Sequence, residues 1–310
     1  MKKIASIDIG TNSMRLLIAD DSEELSNRKK YVDITKLGYG VDANGYIDED
    51  TMQRNLKALQ QFVSFAQREE VEVVEVIGTS ALRDSKNRKE FVLRAKEMTG
   101  VDVRVIEGSE EAGLGFCGAV SSLQKKGYVL LIDIGGGSTE FILGSQSEGI
   151  LFSKSLDIGA LRMTEKFISG DVPSKKELNE MQTYIKREIL PLKKEIKRYP
   201  LEEVVGIGGT ITTFSAMLQG LRVYNSDKVH HSHLAFEQVE ELLELLATKT
   251  LEERMMVDGL QPKRADIIIA GGMILKTVMQ EFNIDKIVVS EHDNLEGMLY
   301  RYRRSASKRS

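Results

Sequence analysis

A single cysteine, Cys117, in 310 residues excludes an intrachain disulfide and any cysteine-rich zinc site. It lies in the apolar, helix-like stretch Gly115-Phe116-Cys117-Gly118-Ala119-Val120 and reads as a small core residue rather than a nucleophile. Excess charge is scarce too: a net charge of -4 argues against a general nucleic-acid coat protein and confines any polyanion binding to a local pocket. No apolar run approaches the length of a bilayer span, and a strand begins right after Met1, Lys2 and Lys3, leaving no room for a signal peptide. The expectation is a cytoplasmic protein with neither membrane nor nucleic acid as partner. There is no low-complexity linker, and 41% apolar with 29% charged residues is ordinary for a globular chain long enough for two cored domains.

What is present centres on residues 129–144. Val129 to Ile134 is an apolar run broken only by Asp133; Gly135, Gly136 and Gly137 follow, then Ser138, Thr139 and Glu140 lead into a second apolar run. The pattern predicts a strand, a tight turn and a strand. A turn of glycines leaves backbone N–H groups uncovered, so a phosphate can approach them, while an aspartate at the strand end is placed to hold a metal. The device recurs at residues 4–19, where Asp8 is followed by Gly10, Thr11, Asn12 and Ser13. Aligning Ile7-Asp8-Ile9-Gly10 with Ile132-Asp133-Ile134-Gly135 exposes a repeat spaced by one domain length, and so two related α/β halves. One Asp-Ile-Gly is an ordinary turn; two copies, each followed by small hydroxyl residues and a strand, favour phosphate loops. A third glycine turn, Gly208-Gly209-Thr210, follows a predicted strand at 201–207 and opens a helix whose N-terminus attracts anions.

Elsewhere in the first half the pattern predicts a strand at 31–37, an amphipathic helix from about 50 to 69, strands at 71–78 and 101–106, and helices at 87–98 and 108–123. In the second half it predicts a strand at 150–156 and helices at 159–169 and 174–199, the latter broken or kinked at Pro191. Residues 264–275 fit strand or helix equally by period; a strand at 284–290 and a helix from about 295 close the chain. Among possible chemical groups, Glu111 fits either a helix start or a catalytic acid, and Arg83 either a surface residue or a phosphate contact at a strand end. Glu140 shares a strand face with Ser138 by the period of two. His230, His231 and His233 lack a nearby cysteine and read as solvated or interfacial, not as a zinc site; the basic tail, including Arg301, Arg303, Arg304, Lys308 and Arg309, reads as a solvated terminus.

Five motifs in order then resemble one family: Asp8-Ile9-Gly10-Thr11-Asn12-Ser13, Thr79-Ser80-Ala81-Leu82-Arg83-Asp84, Gly108-Ser109-Glu110-Glu111-Ala112, Asp133-Ile134-Gly135-Gly136-Gly137-Ser138-Thr139-Glu140 and Gly206-Ile207-Gly208-Gly209-Thr210. The chain is similar over nearly its whole length to the exopolyphosphatase/guanosine pentaphosphate phosphohydrolase (Ppx/GppA) family. That resemblance implies an α/β fold of two duplicated actin-like, ribonuclease H-like domains with the active site in the cleft between them. The domains would be 1–122 and 123–310, with the last helix, about 295–310, able to pack back on the first. It implies hydrolysis of a terminal phosphoanhydride, in inorganic polyphosphate or guanosine pentaphosphate. Glu111 would be the general base, with Glu140 also catalytic. Mg²⁺, or Mn²⁺ in its place, would be held by Asp8, Asp133 and Glu140, and phosphate oxygens by Asn12, Ser13, Arg83, Gly136, Gly137, Ser138, Gly208, Gly209 and Thr210.

The chain departs from the family pattern at two places. Asp293-Asn294-Leu295-Glu296-Gly297 stands where many members carry Gly-Leu-Arg-Glu-Gly, and Gly113 stands where an arginine often follows the Glu-Glu-Ala motif. It also matches the short form, without the extra helical domain of longer members, which weakens the case for very long polyphosphate. Two rival readings stay open: an ATP-dependent phosphotransferase of the same superfold, and a non-catalytic alarmone or polyphosphate sensor. A homodimer is the default expectation for the assembly.

Overall fold

The computed structural model describes residues 2–121 and 127–307. The chain forms two units, one of Met1–Ser121 with His292–Ser310 and one of Ser122–Glu291. The first opens with a meander of β1 (Lys3–Ile9), β2 (Met14–Asp20) and β3 (Lys29–Asp33). It continues through a one-turn helix α1 (Val41–Asn44), α2 (Glu49–Arg68), β4 (Glu72–Gly78), α3 (Ser80–Asp84), α4 (Arg88–Thr99), β5 (Val103–Val105) and α5 (Gly108–Val120). The sheet order is β3-β2-β1-β4-β5, antiparallel through the meander and parallel across β1, β4 and β5. Central β1 is buried on both faces from Ile4 to Ile9, as a parallel-paired core strand must be.

The second unit repeats the plan. Its strands are β6 (Tyr128–Ile134), β7 (Thr139–Ser145), β8 (Gly149–Leu156), β9 (Leu201–Ile207), β10 (His233–Ala235) and β11 (Lys286–Val289). Its helices are α6 (Ala160–Phe167), α7 (Lys175–Ile189), α8 (Lys193–Ile196), α9 (Gly209–Leu218), α10 (Ser226–Val229), α11 (Phe236–Ala247), α12 (Leu251–Met255) and α13 (Ile268–Phe282). In the order β10-β11-β9-β6-β7-β8, the run β8-β7-β6-β9 corresponds in topology to β3-β2-β1-β4 of the first unit, with the same senses of pairing. The repeat of Asp-Ile-Gly is therefore a repeat of topology. The last helix, α14 (Asn294–Ser307), returns to the first unit.

Several expectations need correcting. The expected domain boundary at 122/123 falls outside the described residues, as do Lys308 and Arg309; residues 292–310 group with the first unit, the placement that the resemblance left open for the last helix. The reason is packing: α14 lies against α5 and β1, burying Leu295, Met298 and Leu299 with Ile4, Leu17 and Leu114. Two glycines let the helix backbones meet, since a Cβ on Gly118 would overlap the Asp293 carbonyl and one on Gly297 the Leu114 carbonyl. Gly118→Leu should therefore lower stability by about 2 kcal/mol through overpacking, read as a fall in the urea midpoint at unchanged slope.

The strand expected at 31–37 ends at Asp33, because the chain turns at Lys36, whose φ of 48° is left-handed, to bond the first phosphate-loop candidate. Proline 191 stands inside a 3₁₀ turn, Leu190–Leu192, which divides the expected long helix into α7 and α8. The undecided 264–275 segment enters helix α13, which is buried almost all round and so carries little amphipathic period.

Candidate functional site

Site candidates gather at the C-terminal ends of the central parallel strands of each unit, where open α/β sheets bind ligands. In the first unit β1 pairs with β2 in the register Asp8↔Arg15 and Ile9↔Met14, and the turn between them closes with the Gly10 N–H donating to the Ser13 carbonyl at 3.0 Å. The turn's own carbonyls are held from outside: the Lys36 amide donates to Asn12 O and the Gly38 amide to Thr11 O, each at 2.9 Å. The Thr11 and Ser80 hydroxyls meet at 2.7 Å, joining the turn to the start of α3. Asn12 is buried, yet neither its side-chain oxygen nor its nitrogen has a hydrogen-bond partner among the described residues. Such a group costs stability unless a ligand completes it.

Helix α3 carries Arg83, whose guanidinium donates to the Ile106 carbonyl at 3.2 Å and to Glu111 Oε2 at 3.4 Å. Glu111 is only 8% exposed in the first turns of α5. Its neighbour Glu110, one helical step round, serves differently: Arg104 and Arg301 bind it, Arg104 holding its carboxyl down at about 2 against the raising effect of burial. The structure separates these neighbouring acids into a surface ion pair and a buried acid facing Arg83. Since the Glu110 carboxyl sits lower than in the unfolded chain, its contribution is present above the ordinary glutamate value and is lost as pH falls toward about 2. A Glu110→Gln variant should lose that acid-side slope, measured as urea midpoints between pH 5 and the acid limit, roughly the range set by the two pKa values.

Asp8 occupies a place the sequence reading gave to a metal. In the structure its Oδ2 accepts from Arg15, which also donates to Asp293 at 2.5 Å, and Lys30 stands 3.5 Å from Asp293 and 3.4 Å from Glu296. Asp8 Oδ1 has no hydrogen-bond partner among the described residues. Burial pushes the Asp8 carboxyl above its ordinary value, with Arg15 pulling the other way. At Asp293 burial also raises, but Arg15 and Lys30 outweigh it and hold the group low. Thus the arginine missing from the Asp293–Gly297 motif is answered by cations from β2 and β3. Arg15 was overlooked in the sequence; the hairpin register that sets it across from Asp8 was the available signal.

In the second unit the register places Asp133 directly opposite Glu140, where the first unit has Asp8 opposite Arg15. The Gly135 N–H donates to Ser138 O at 3.0 Å, repeating the first turn. Helix α6 fastens the turn's carbonyls: the Ala160 amide donates to Gly135 O, the Leu161 and Arg162 amides to Gly136 O, and Arg162 Nε to Gly137 O at 2.7 Å. With the carbonyls engaged, the amide side of Gly136, Gly137 and Ser138 is the side offered to an anion. Glu140 is buried and accepts from the Ser155 hydroxyl at 2.6 Å. Strand β9 lies parallel to β6, so the Gly208-Gly209-Thr210 turn stands beside Asp133. Gly208 has a φ of 90°, and a Cβ there would overlap both Asp133 Oδ1 and the Ile134 carbonyl. The space beside Gly209 is filled by the Arg264 guanidinium, a cation at the N-terminus of α9 that the sequence reading did not single out.

The remaining candidates have structural roles. His230 and His231 stack at 3.8 Å, and His230 Nδ1 accepts the Glu291 amide at 3.1 Å. Among the described residues no three His, Cys, Asp or Glu side chains converge as a metal cluster, and no helix is long and apolar enough to cross a membrane. Cys117 is half-buried, and burial pushes its thiol up, away from the thiolate.

A pair of duplicated α/β units with a glycine turn after the central strand of each defines the class, a two-domain protein of the actin-like fold. The Ppx/GppA phosphatase family matches residues 17–306, and the chain belongs to it. It is 37% identical to the bifunctional 3-dehydroquinate synthase/phosphatase of Fusobacterium nucleatum over 95% of this chain, which spans 46% of that larger protein. It is 34% identical to exopolyphosphatase 2 of Mycobacterium tuberculosis, over 96% of this chain and 98% of that one. The crystal structure of an exopolyphosphatase from Cytophaga hutchinsonii superposes with a TM-score of 0.90 at 29% identity, covering 98% of each chain.

Proposed function

We propose that this protein hydrolyses the terminal phosphoanhydride bond of inorganic polyphosphate or guanosine pentaphosphate, with water as the acceptor. The observation that carries the reading is the buried Glu111 carboxylate held by Arg83, itself on the helix tied to the Gly10–Ser13 turn. A fixed carboxylate near phosphate-binding amides is suited to orienting a water and accepting its proton as the new P–O bond forms. The proton lost by water goes to Glu111, and the bridging oxygen leaves with the shortened chain. Within the first unit Asn12 and Ser13 offer donors suited to phosphate oxygens, and within the second the Gly136–Ser138 turn, Gly208–Thr210 and Arg264 do the same. Arg83 both positions Glu111 and adds positive charge beside it.

The facing carboxylates of Asp133 and Glu140 fit a divalent cation: Mg²⁺ takes one or two carboxylates and fills its shell with water and substrate phosphate. Asp8 fits less well, because Arg15 already neutralises it. When bound, Mg²⁺ or Mn²⁺ would draw charge from the scissile group.

Incubation with polyphosphate, guanosine pentaphosphate and ATP, with and without Mg²⁺, tests the reading. The expected outcome is phosphate released from one or both of the first two, abolished by chelation. Accumulation of ADP with a phosphorylated acceptor would instead indicate a phosphotransferase, and tight binding without phosphate release a sensor.

A further inference from the structure

The two hairpin turns that are candidates for phosphate share a device. In each unit the segment after the third strand of the meander closes on the carbonyl side of the turn, and a glycine stands at the contact. Beyond β8 this is Gly159, where a Cβ would overlap the Gly136 carbonyl, and the amides of Ala160 and Leu161 donate to Gly135 O and Gly136 O at 2.9 and 2.8 Å. Beyond β3 it is Gly38, where a Cβ would stand 2.3 Å from Thr11 Cγ2, and the amides of Lys36 and Gly38 hold Asn12 O and Thr11 O.

Residues 34–40 of the first unit belong to neither strand nor helix, so bonds from outside set their place. Helix α2 supplies them. The Thr35 carbonyl accepts from Arg54 Nε at 2.8 Å and from Asn55 Nδ2 at 3.3 Å, and both side chains also donate to Thr51, one turn back, at 3.1 and 2.8 Å. Asn55 is fully buried, where an amide is costly unless it has such partners. Lys36 follows with its left-handed φ of 48°, a conformation that persists when its surroundings over-determine it. The chain of contacts runs from α2 through Thr35 and Lys36 to the turn residue Asn12.

We infer that Gly38, Arg54 and Asn55 are positioning residues: they hold the 35–38 segment against the Thr11 and Asn12 carbonyls and so set where the Gly10–Ser13 turn meets a phosphate group. The inference rests on the proposed phosphoanhydride reading for the ligand and adds the residues that aim its first-unit donors. The contact is close enough for one methyl group to matter. Gly38→Ala would bring a Cβ more than about 1 Å inside ordinary carbon–carbon contact with the Thr11 methyl. That methyl can clear it only by moving the turn or by rotating Thr11 about χ1, which takes the hydroxyl away from Ser80 Oγ.

The test is calorimetric binding of imidodiphosphate, whose P–N–P bridge resists hydrolysis, in Mg²⁺, to the full chain and to Gly38→Ala, Thr11→Ser, the two together, and Arg54→Ala. Gly38→Ala should weaken binding by about tenfold. Thr11→Ser removes the methyl and keeps the hydroxyl, so adding Gly38→Ala to it should cost less than about twofold, a non-additivity in affinity that a merely structural role would not give. Arg54→Ala, at an exposed side chain outside the turn, should weaken binding by about threefold and serves should Gly38→Ala disturb the fold. A lower urea midpoint for Gly38→Ala at parent affinity, an equal loss with and without Thr11→Ser, or parent affinity in Arg54→Ala would overturn the assignment, as would a parent that binds no imidodiphosphate. Phosphate release from polyphosphate is scored separately: the expected binding pattern in a protein that releases no phosphate contradicts the hydrolase reading and not this one.

Discussion

Glutamine at position 111 is expected to lower turnover by about two to four orders of magnitude while substrate binding is largely kept. The amide matches the carboxylate in size and can still accept from Arg83, so the α3–α5 contact that fixes it survives. What it cannot do is take a proton from water. The signature of a base used only in the transition state is a fall in kcat with little change in the affinity for polyphosphate. A variant with the parent's kcat would show that the buried acid is no more than a partner for Arg83. The neighbouring Glu110→Gln provides the internal control, since that acid is committed to Arg104 and Arg301.

Asparagine at position 133 should have the second largest effect. It keeps the side-chain shape that Gly208 accommodates, so the β6–β9 junction remains intact, but it removes half of the facing carboxylate pair. Half-saturation by Mg²⁺ should then rise by roughly tenfold or more, with part of the lost activity recovered at high Mg²⁺. The measurement is phosphate release against free Mg²⁺ at saturating polyphosphate. An unchanged Mg²⁺ dependence with lost activity would assign Asp133 to substrate contact or to folding. Asp8→Asn should shift the Mg²⁺ dependence far less, because the Arg15 guanidinium already pairs with that carboxylate.

The sequence disclosed what is local. Both hairpins, the glycine turns between and after strands, and the duplicated topology follow from apolar runs punctuated by Asp-Ile-Gly, and the structure repeats even the closing bond, Gly10 to Ser13 and Gly135 to Ser138. Tertiary relations were not legible. Nothing in the pattern at 292–307 distinguishes a helix of the second unit from one that crosses back to α5, since the deciding features are two glycines, Gly118 and Gly297, far apart in the chain. Helix α13 hid its period because neighbours surround it. For Glu111 the local spacing fitted a helix start as well as a catalytic acid, and the Arg83 that faces it lies 28 positions earlier, beyond any local pattern.

The cations were the main omission. Arg15, Lys30 and Arg264 lie outside every motif, yet the first two answer the absent arginine beside Leu295 and the third stands at the start of α9. Motif reading finds the residues that chemistry requires at fixed spacing. Compensating charges are free to come from any element that reaches the same place, so that only the hairpin register, Asp8 opposite Arg15, pointed to one of them.

The central claim is that water, not a second substrate, takes the terminal phosphoryl group. Turnover of polyphosphate in ¹⁸O-labelled water, followed by ³¹P resonance, tests it most directly. The account requires the heavy oxygen to appear in the released inorganic phosphate and not in the shortened chain. Label in the shortened chain, or phosphate leaving without label while another molecule becomes phosphorylated, would contradict it.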